Sequence, residues 1–163
     1  MELEFDVVEL PPHDAPTEGD EAPEFVRPLV NDEYWEDTAL SEVVPALVVF
    51  YPMNGSFPAT YIWKEVRDRG WTDETTVVGV TVSTPYSHKS FLQRYGLETR
   101  LFADPSNEAA REYGVVHDLD GMEGVEEPRP AVFLIDDEMH VEYAWVAEEH
   151  PEFPPYEEIE NAL

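Results

Sequence analysis

The chain of 163 residues contains no cysteine. That excludes disulfides, thiolate metal sites and any thiol nucleophile. Lysine is nearly absent too: Lys64 and Lys89 are the only two. Lysine and arginine together number 9 against 37 aspartates and glutamates, for a formal net charge of −28. A surface so poor in basic groups cannot grip a phosphate backbone or an anionic bilayer, so neither nucleic acid nor membrane is an expected partner. No apolar run approaches the roughly 18 residues that a membrane span requires. The opening MELEFDVVEL lacks the basic segment and apolar core of a secretion signal, and the expected compartment is the cytoplasm. Gly-rich phosphate loops, nucleophile elbows and His-Glu-x-x-His motifs are missing as well. The histidines, His13, His88, His117, His140 and His150, are scattered without metal-ligand spacing, so no metal or cofactor is expected. His117-Asp118-x-Asp120 is a candidate cation contact in a loop, but neighbouring carboxylates arise by chance in this composition.

High net charge opposes compaction and can signal disorder. Against that, 42% of the residues are hydrophobic and they are patterned, as in one ordinary folded domain. The acid excess then reads as adaptation to high salt. At about 1 M salt the Debye length is roughly 3 Å, so repulsion between surface carboxylates is largely screened while their hydration persists. Halophilic archaea that accumulate KCl show this pattern of many carboxylates and few lysines. The alternative is a merely acidic protein of ordinary salt.

The chain is organised around residues 47–66, LVVFYPMNGSFPATYIWKEV. Leu47-Val48-Val49-Phe50-Tyr51 is an unbroken apolar run, β-branched and aromatic, which predicts a strand buried on both faces. Pro52-Met53-Asn54-Gly55-Ser56 is a breaker cluster and predicts a tight loop. Ala59, Ile62, Trp63 and Val66 then follow the helical period, and Gly70 is a fitting C-terminal stop for a helix from about Pro58 to Arg69. A buried strand, a short loop and a helix start bring unpaired backbone N–H groups together.

Around that unit the chain alternates strands and helices. Residues 1–10 alternate as a strand, and the acidic, Pro-rich residues 11–22 read as a loop. Phe25 to Val30 and Tyr34 to Leu40 suit a hairpin, and Ser41 to Val44 a helical turn. Thr75 to Val82 is a second buried strand. In the helix that follows, Ser87 is the expected N-cap, His88 a first-turn surface residue, Phe91, Leu92 and Tyr95 one face, and Gly96 the end. Leu101 to Ala103 is a short strand. Asp104 as cap, Pro105 at the first helical position and Gly114 at the close bracket another helix. Residues 116–128 read as a loop. Arg129 to Asp136 and Met139 to Val146 form a hairpin, and Pro155 to Leu163 an acidic helix. This order predicts an α/β fold with a central mixed sheet between helices. Trp63 and Trp71 read as core.

Several of these segments resemble one family. Pro52-x-x-x-Ser56-x-x-Ala59 after a strand resembles the active-site loop Pro-x-x-x-Thr/Ser-x-x-Cys of peroxiredoxins, the AhpC/TSA branch of the thioredoxin fold. Gly19-x-x-Ala22-Pro23-x-Phe25, Ser83-Thr84-Pro85-Tyr86-Ser87-His88 with Phe91, and Asp104-Pro105 through Ala109, Tyr113 and Gly114 are similar to family segments in the same order. The resemblance implies a thioredoxin-like fold of the peroxiredoxin subclass over residues 19–163, preceded by an N-terminal strand and acidic loop over 1–18. It also implies a homodimer.

In the family the cysteine attacks the peroxide as a thiolate, an Arg and the helix start lower its pKa, a Ser or Thr hydroxyl holds the peroxide, and Pro shields the sulfur. Here Ala59 takes the nucleophile's position, and a methyl group can neither attack nor donate. Pro52, Ser56 and Arg129 are the remaining residues of the implied pocket. Ser56 could instead cap the helix, and Arg129 could instead pair with Glu126 or Glu127. If the pocket closes on Arg129, its donors lack a thiolate and would favour a small anion. The expected function is a peroxiredoxin-family protein that lacks the catalytic cysteine, is inactive as a thiol peroxidase and keeps a binding or structural role. The alternatives are an antioxidant thiol peroxidase reducing hydroperoxides, an anion-binding module, or a different enzyme in the same cleft. No replacement nucleophile with a base beside it is visible in the sequence.

Overall fold

In the computed structural model, which describes residues 7–117 and 123–163, the apolar run at 46–51 is the centre of the sheet. Ala46, Val48 and Phe50 pack into one core cluster, and Leu47, Val49 and Tyr51 into the other. Burial on both faces is why the run shows no alternation in the sequence.

The elements, in chain order, begin with β1 (Val8–Glu9), β2 (Val26–Val30) and β3 (Trp35–Ala39). Then come β4 (Ala46–Phe50), α1 (Phe57–Asp68), α2 (Trp71–Glu74) and β5 (Val77–Thr81). α3 (Pro85–Tyr95), β6 (Arg100–Ala103), α4 (Glu108–Glu112) and β7 (Val116–His117) follow. The chain closes with β8 (Glu127–Pro128), β9 (Ala131–Ile135), β10 (Val141–Val146), β11 (Glu149–His150) and α5 (Tyr156–Ala162).

Seven strands form the main sheet in the order β10-β9-β4-β5-β6-β2-β3. β4, β5 and β6 are parallel neighbours, as their helical crossovers require, and β9 runs antiparallel to β4. The β2–β3 hairpin pairs Val26 with Ala39 through Val30 with Trp35, and so extends the sheet beyond β6. α1 lies on the face of Leu47, Val49 and Tyr51, burying Ala59, Ile62, Trp63 and Val66 there. Gly79 on β5 lets that packing close, since a Cβ at this position would come 2.5 Å from the Trp63 ring. Trp63 and Trp71 are both core residues, each 1% exposed.

Several expectations need correction. α3 starts a turn early: Thr84, not Ser87, is its N-cap, with Thr84 Oγ1 accepting from Ser87 N at 3.2 Å and Pro85 in the first turn. A Thr-Pro pair combines a side-chain cap with a φ already set for helix, which outcompetes Ser87. α4 begins at Glu108 rather than at Pro105, after Asn107 in the left-handed region at φ 62°. Gly70, at φ 69°, ends α1 and immediately opens the short α2, which the sequence reading missed. Residues 116–128 are not all loop, because β7 and β8 pair antiparallel. The expected strand at 1–10 keeps only β1 among the described residues, paired with β11; its alternating positions 1–6 lie outside them, as do 118–122 with most of the candidate cation contact. Among the described residues no helix is long and apolar enough to cross a membrane.

Candidate functional site

The loop between β4 and α1 is set by its own side chains. Ser56 is the N-cap of α1 and its hydroxyl accepts from Ala59 N at 3.4 Å while donating to Pro52 O at 3.3 Å. Both bonds lie within the turn, so capping is the role that the geometry records for Ser56. Pro52 is buried beside it. Ala59 sits in the first turn of α1, 0% exposed, with its methyl in the core cluster of Ile62, Trp63 and Val66.

Pro52, Ser56 and Ala59 therefore come together, but Arg129 does not join them. Along β9, Ala131, Phe133 and Ile135 face one core and Val132 and Leu134 face the other. Counted back from the start of β9, Arg129 is in phase with Ala131. Its Nη1 donates to Pro11 O at 2.9 Å and Ala147 O at 3.4 Å. Glu126, one of the two carboxylates expected to hold it, pairs instead with Arg111 at 3.8 Å.

Asn54 organises the loop, and the sequence reading gave it no role. Its backbone N–H donates to Ser83 Oγ at 2.9 Å, and its Oδ1 accepts from Tyr51 OH at 2.8 Å. Its Nδ2 donates to Ser87 Oγ at 3.2 Å and to His88 Nδ1 at 2.9 Å. On the far side, His88 Nε2 meets Phe102 O at 3.0 Å. A carbonyl can only accept, so Nε2 carries the proton and Nδ1 is the acceptor for Asn54. His88 is thus 0% exposed and not the surface residue expected. Burial holds its pKa down at about 4, with the Phe102 carbonyl opposing the shift. The signal was present: His88, Phe91, Leu92 and Tyr95 follow i, i+3, i+4 and i+7.

Among the described residues no group of three or more potential ligands could hold a metal ion. What the loop offers is a helix start whose first-turn N–H at Ala59 is capped, a buried methyl and a hydrogen-bonded Asn–His pair. None of these is a nucleophile beside a base.

The profile of the AhpC/TSA family matches residues 18–144. The chain belongs to that family. Among curated relatives, a bcp-type peroxiredoxin of Coxiella burnetii is 28% identical over 140 residues, covering 78% of this chain and 86% of its own length. A chloroplastic peroxiredoxin Q of Gentiana triflora is 28% identical over 110 residues, 64% of this chain. The chain spans 49% of that plant protein, about half its length. Two solved structures share the fold. A Chromobacterium violaceum thiol peroxidase matches with a TM-score of 0.76 at 24% identity, covering 91% of this chain and 87% of that one. Enterococcus faecalis AhpC matches with a TM-score of 0.74 at 17% identity, covering 89% of each chain. The peroxiredoxin-type, thioredoxin-like fold expected from the sequence is the fold of this protein.

Proposed function

We propose that this AhpC/TSA-family chain does not reduce peroxides through a thiol and acts as a binding or structural module. One observation carries the reading: the chain has no cysteine, and the position where the resemblance places the nucleophile is Ala59, whose methyl is packed in the core. Thiol peroxidase chemistry needs a thiolate to attack the peroxide oxygen, and no other side chain of the loop supplies a nucleophile with an adjacent base. Consumption of hydrogen peroxide with dithiothreitol is expected to match the buffer blank. Protein-dependent turnover that is lost on heating would overturn the proposal. An anion at the 52–59 loop gains no support, because the hydrogen bonds of Arg129 go to Pro11 and Ala147 and not to that loop.

The reading extends to a homodimer in the cytoplasm of a halophilic archaeon. With 37 carboxylates against 9 lysines and arginines, lowering KCl from molar to millimolar lengthens the Debye length by more than about tenfold and restores repulsion. The melting temperature is expected to fall over that range. A melting temperature that holds or rises in low salt would remove the halophile assignment.

A further inference from the structure

Arg129 is 2% exposed, yet it takes part in none of the ion pairs among the described residues. That is unexpected in a chain with a fourfold excess of carboxylates. The recorded hydrogen bonds of the guanidinium run through Nη1 alone, to two neutral carbonyls. Its Nε is buried without an acceptor among the described residues. The Nε–H and one Nη2–H point the same way, and this parallel pair is the edge with which arginine grips a carboxylate side-on. A buried guanidinium with no carboxylate in ion-pair contact among the described residues bears a desolvation penalty, and burial lowers its pKa accordingly. It nevertheless stays cationic near neutral pH.

Arg129 lines a cleft of 310 Å³ together with Pro11, Pro12, His13, Glu9 and Glu148. The segment forming one wall is fastened on either side of the guanidinium. Leu10 N donates to Glu148 O at 2.8 Å, and Ala15 is buried in the core. His13 Nδ1 accepts from Ala15 N at 3.2 Å. Its ring proton in the neutral form is therefore on Nε2, which makes His13 a second donor in the cleft wall. None of residues 52–59 lines this cleft, so it is distinct from that loop.

We infer that this cleft binds a small carboxylate, held side-on by the Nε and Nη2 edge of Arg129 with His13 Nε2–H as a further donor. A planar carboxylate matches the fork at both oxygens and brings a counter-charge into contact with it, which a spherical halide does at one point only. Because Nε is enclosed, the second bond forms only as the side chains covering it yield. Glu9 and Glu148 at the cleft favour a ligand of one charge over a phosphate of two, by like-charge repulsion. The inference is independent of whether the protein reduces peroxide.

The experiment is a titration of acetate against chloride at constant ionic strength, read by thermal melting and by the Arg129 Nε–H resonance. In the unaltered protein a saturable rise of a few degrees in Tm is expected, with the Nε–H signal moving at the same midpoint. Arg129→Lys keeps the charge and a donor for Pro11 but loses the fork, and should abolish the rise. If that variant does not fold, the resonance in the unaltered protein decides alone. No saturable movement up to molar acetate overturns the inference. An equal response to bromide overturns the carboxylate assignment. Movement that appears only in Glu148→Gln would mean that the chain's own carboxylate fills the fork, and overturns it too.

Discussion

Asp104→Ala is expected to destabilise the protein by about 3 kcal/mol, read by urea unfolding at fixed KCl. Asp104 is 0% exposed, a carboxylate with no access to water. Its Oδ1 accepts from Arg27 Nε at 2.9 Å. Its Oδ2 accepts from the backbone N–H of Ala109 at 2.9 Å and of Ala110 at 3.4 Å. One side chain thus joins β2, near the edge of the sheet, to the turn after β6 and to the start of α4. Truncation removes a buried charge pair and leaves two helix amides without their acceptor, each a loss of order 1 kcal/mol. Arg27 keeps a second partner, Glu108 at 3.0 Å, which is why the cost stays at the lower end for a broken buried pair. Arg27→Met should cost as much or more, since it leaves the enclosed carboxylate with amides alone. The double variant should be less damaging than the sum of the two single changes. Because Asp104 is enclosed, most of the cost should persist in molar KCl, unlike that of surface pairs. A cost under about 1 kcal/mol for Asp104→Ala would show that the turn is held by packing alone.

The same residue shows what the sequence did and did not disclose. Asp104-Pro105 reads as the start of a helix, and Asp104 does hold helix N–H groups. It does so across a turn, because Asn107 adopts a left-handed backbone that delays α4 to Glu108. Capping chemistry was legible; the distance over which it acts was not. The strands at β4, β5 and β9 and the helix α1 were legible because their burial imposes a period or an unbroken run. α2, β7 and β8 are too short for any period, and β7 and β8 are defined only by pairing with each other.

At the 52–59 loop the spacing from Pro52 through Ser56 to Ala59 located the turn and the cap. Arg129 was a question of parity. Proximity in sequence to the β9 strand cannot reveal which face a side chain takes, and one residue of register decides it. His88 was misread for a related reason. A polar residue at a core-facing position was assigned to the surface, whereas Asn54 and Phe102, 34 and 14 residues away in sequence, satisfy both ring nitrogens. Nothing local to residue 88 shows those partners.

Unfolding free energy is expected to fall by about 3 kcal/mol on His88's account as pH drops from about 6.5 to about 4. In the unfolded chain the imidazole titrates near its ordinary value of about 6.5. In the folded protein burial pushes it down to about 4. Between those values the unfolded state binds the proton and the folded state does not, so stability rises with pH through this window. It is complete above about 6.5, is lost progressively on acidification and levels off below about 4. The structural cause is specific. A proton on Nδ1 would face the Asn54 Nδ2–H, donor against donor, in a site closed to water. Relief requires Asn54 to turn over, with the Tyr51 and Ser87 hydroxyls exchanging their donor and acceptor roles, or the loop to open. Many carboxylates titrate in the same range, so the unaltered protein alone cannot assign the slope. His88→Gln removes the titration while keeping a polar side chain. At pH 7 this variant should be the less stable of the two, and the gap should close steadily as pH approaches 4. A gap that stays constant from pH 7 to pH 4 would show that His88 does not carry the acid sensitivity of the fold.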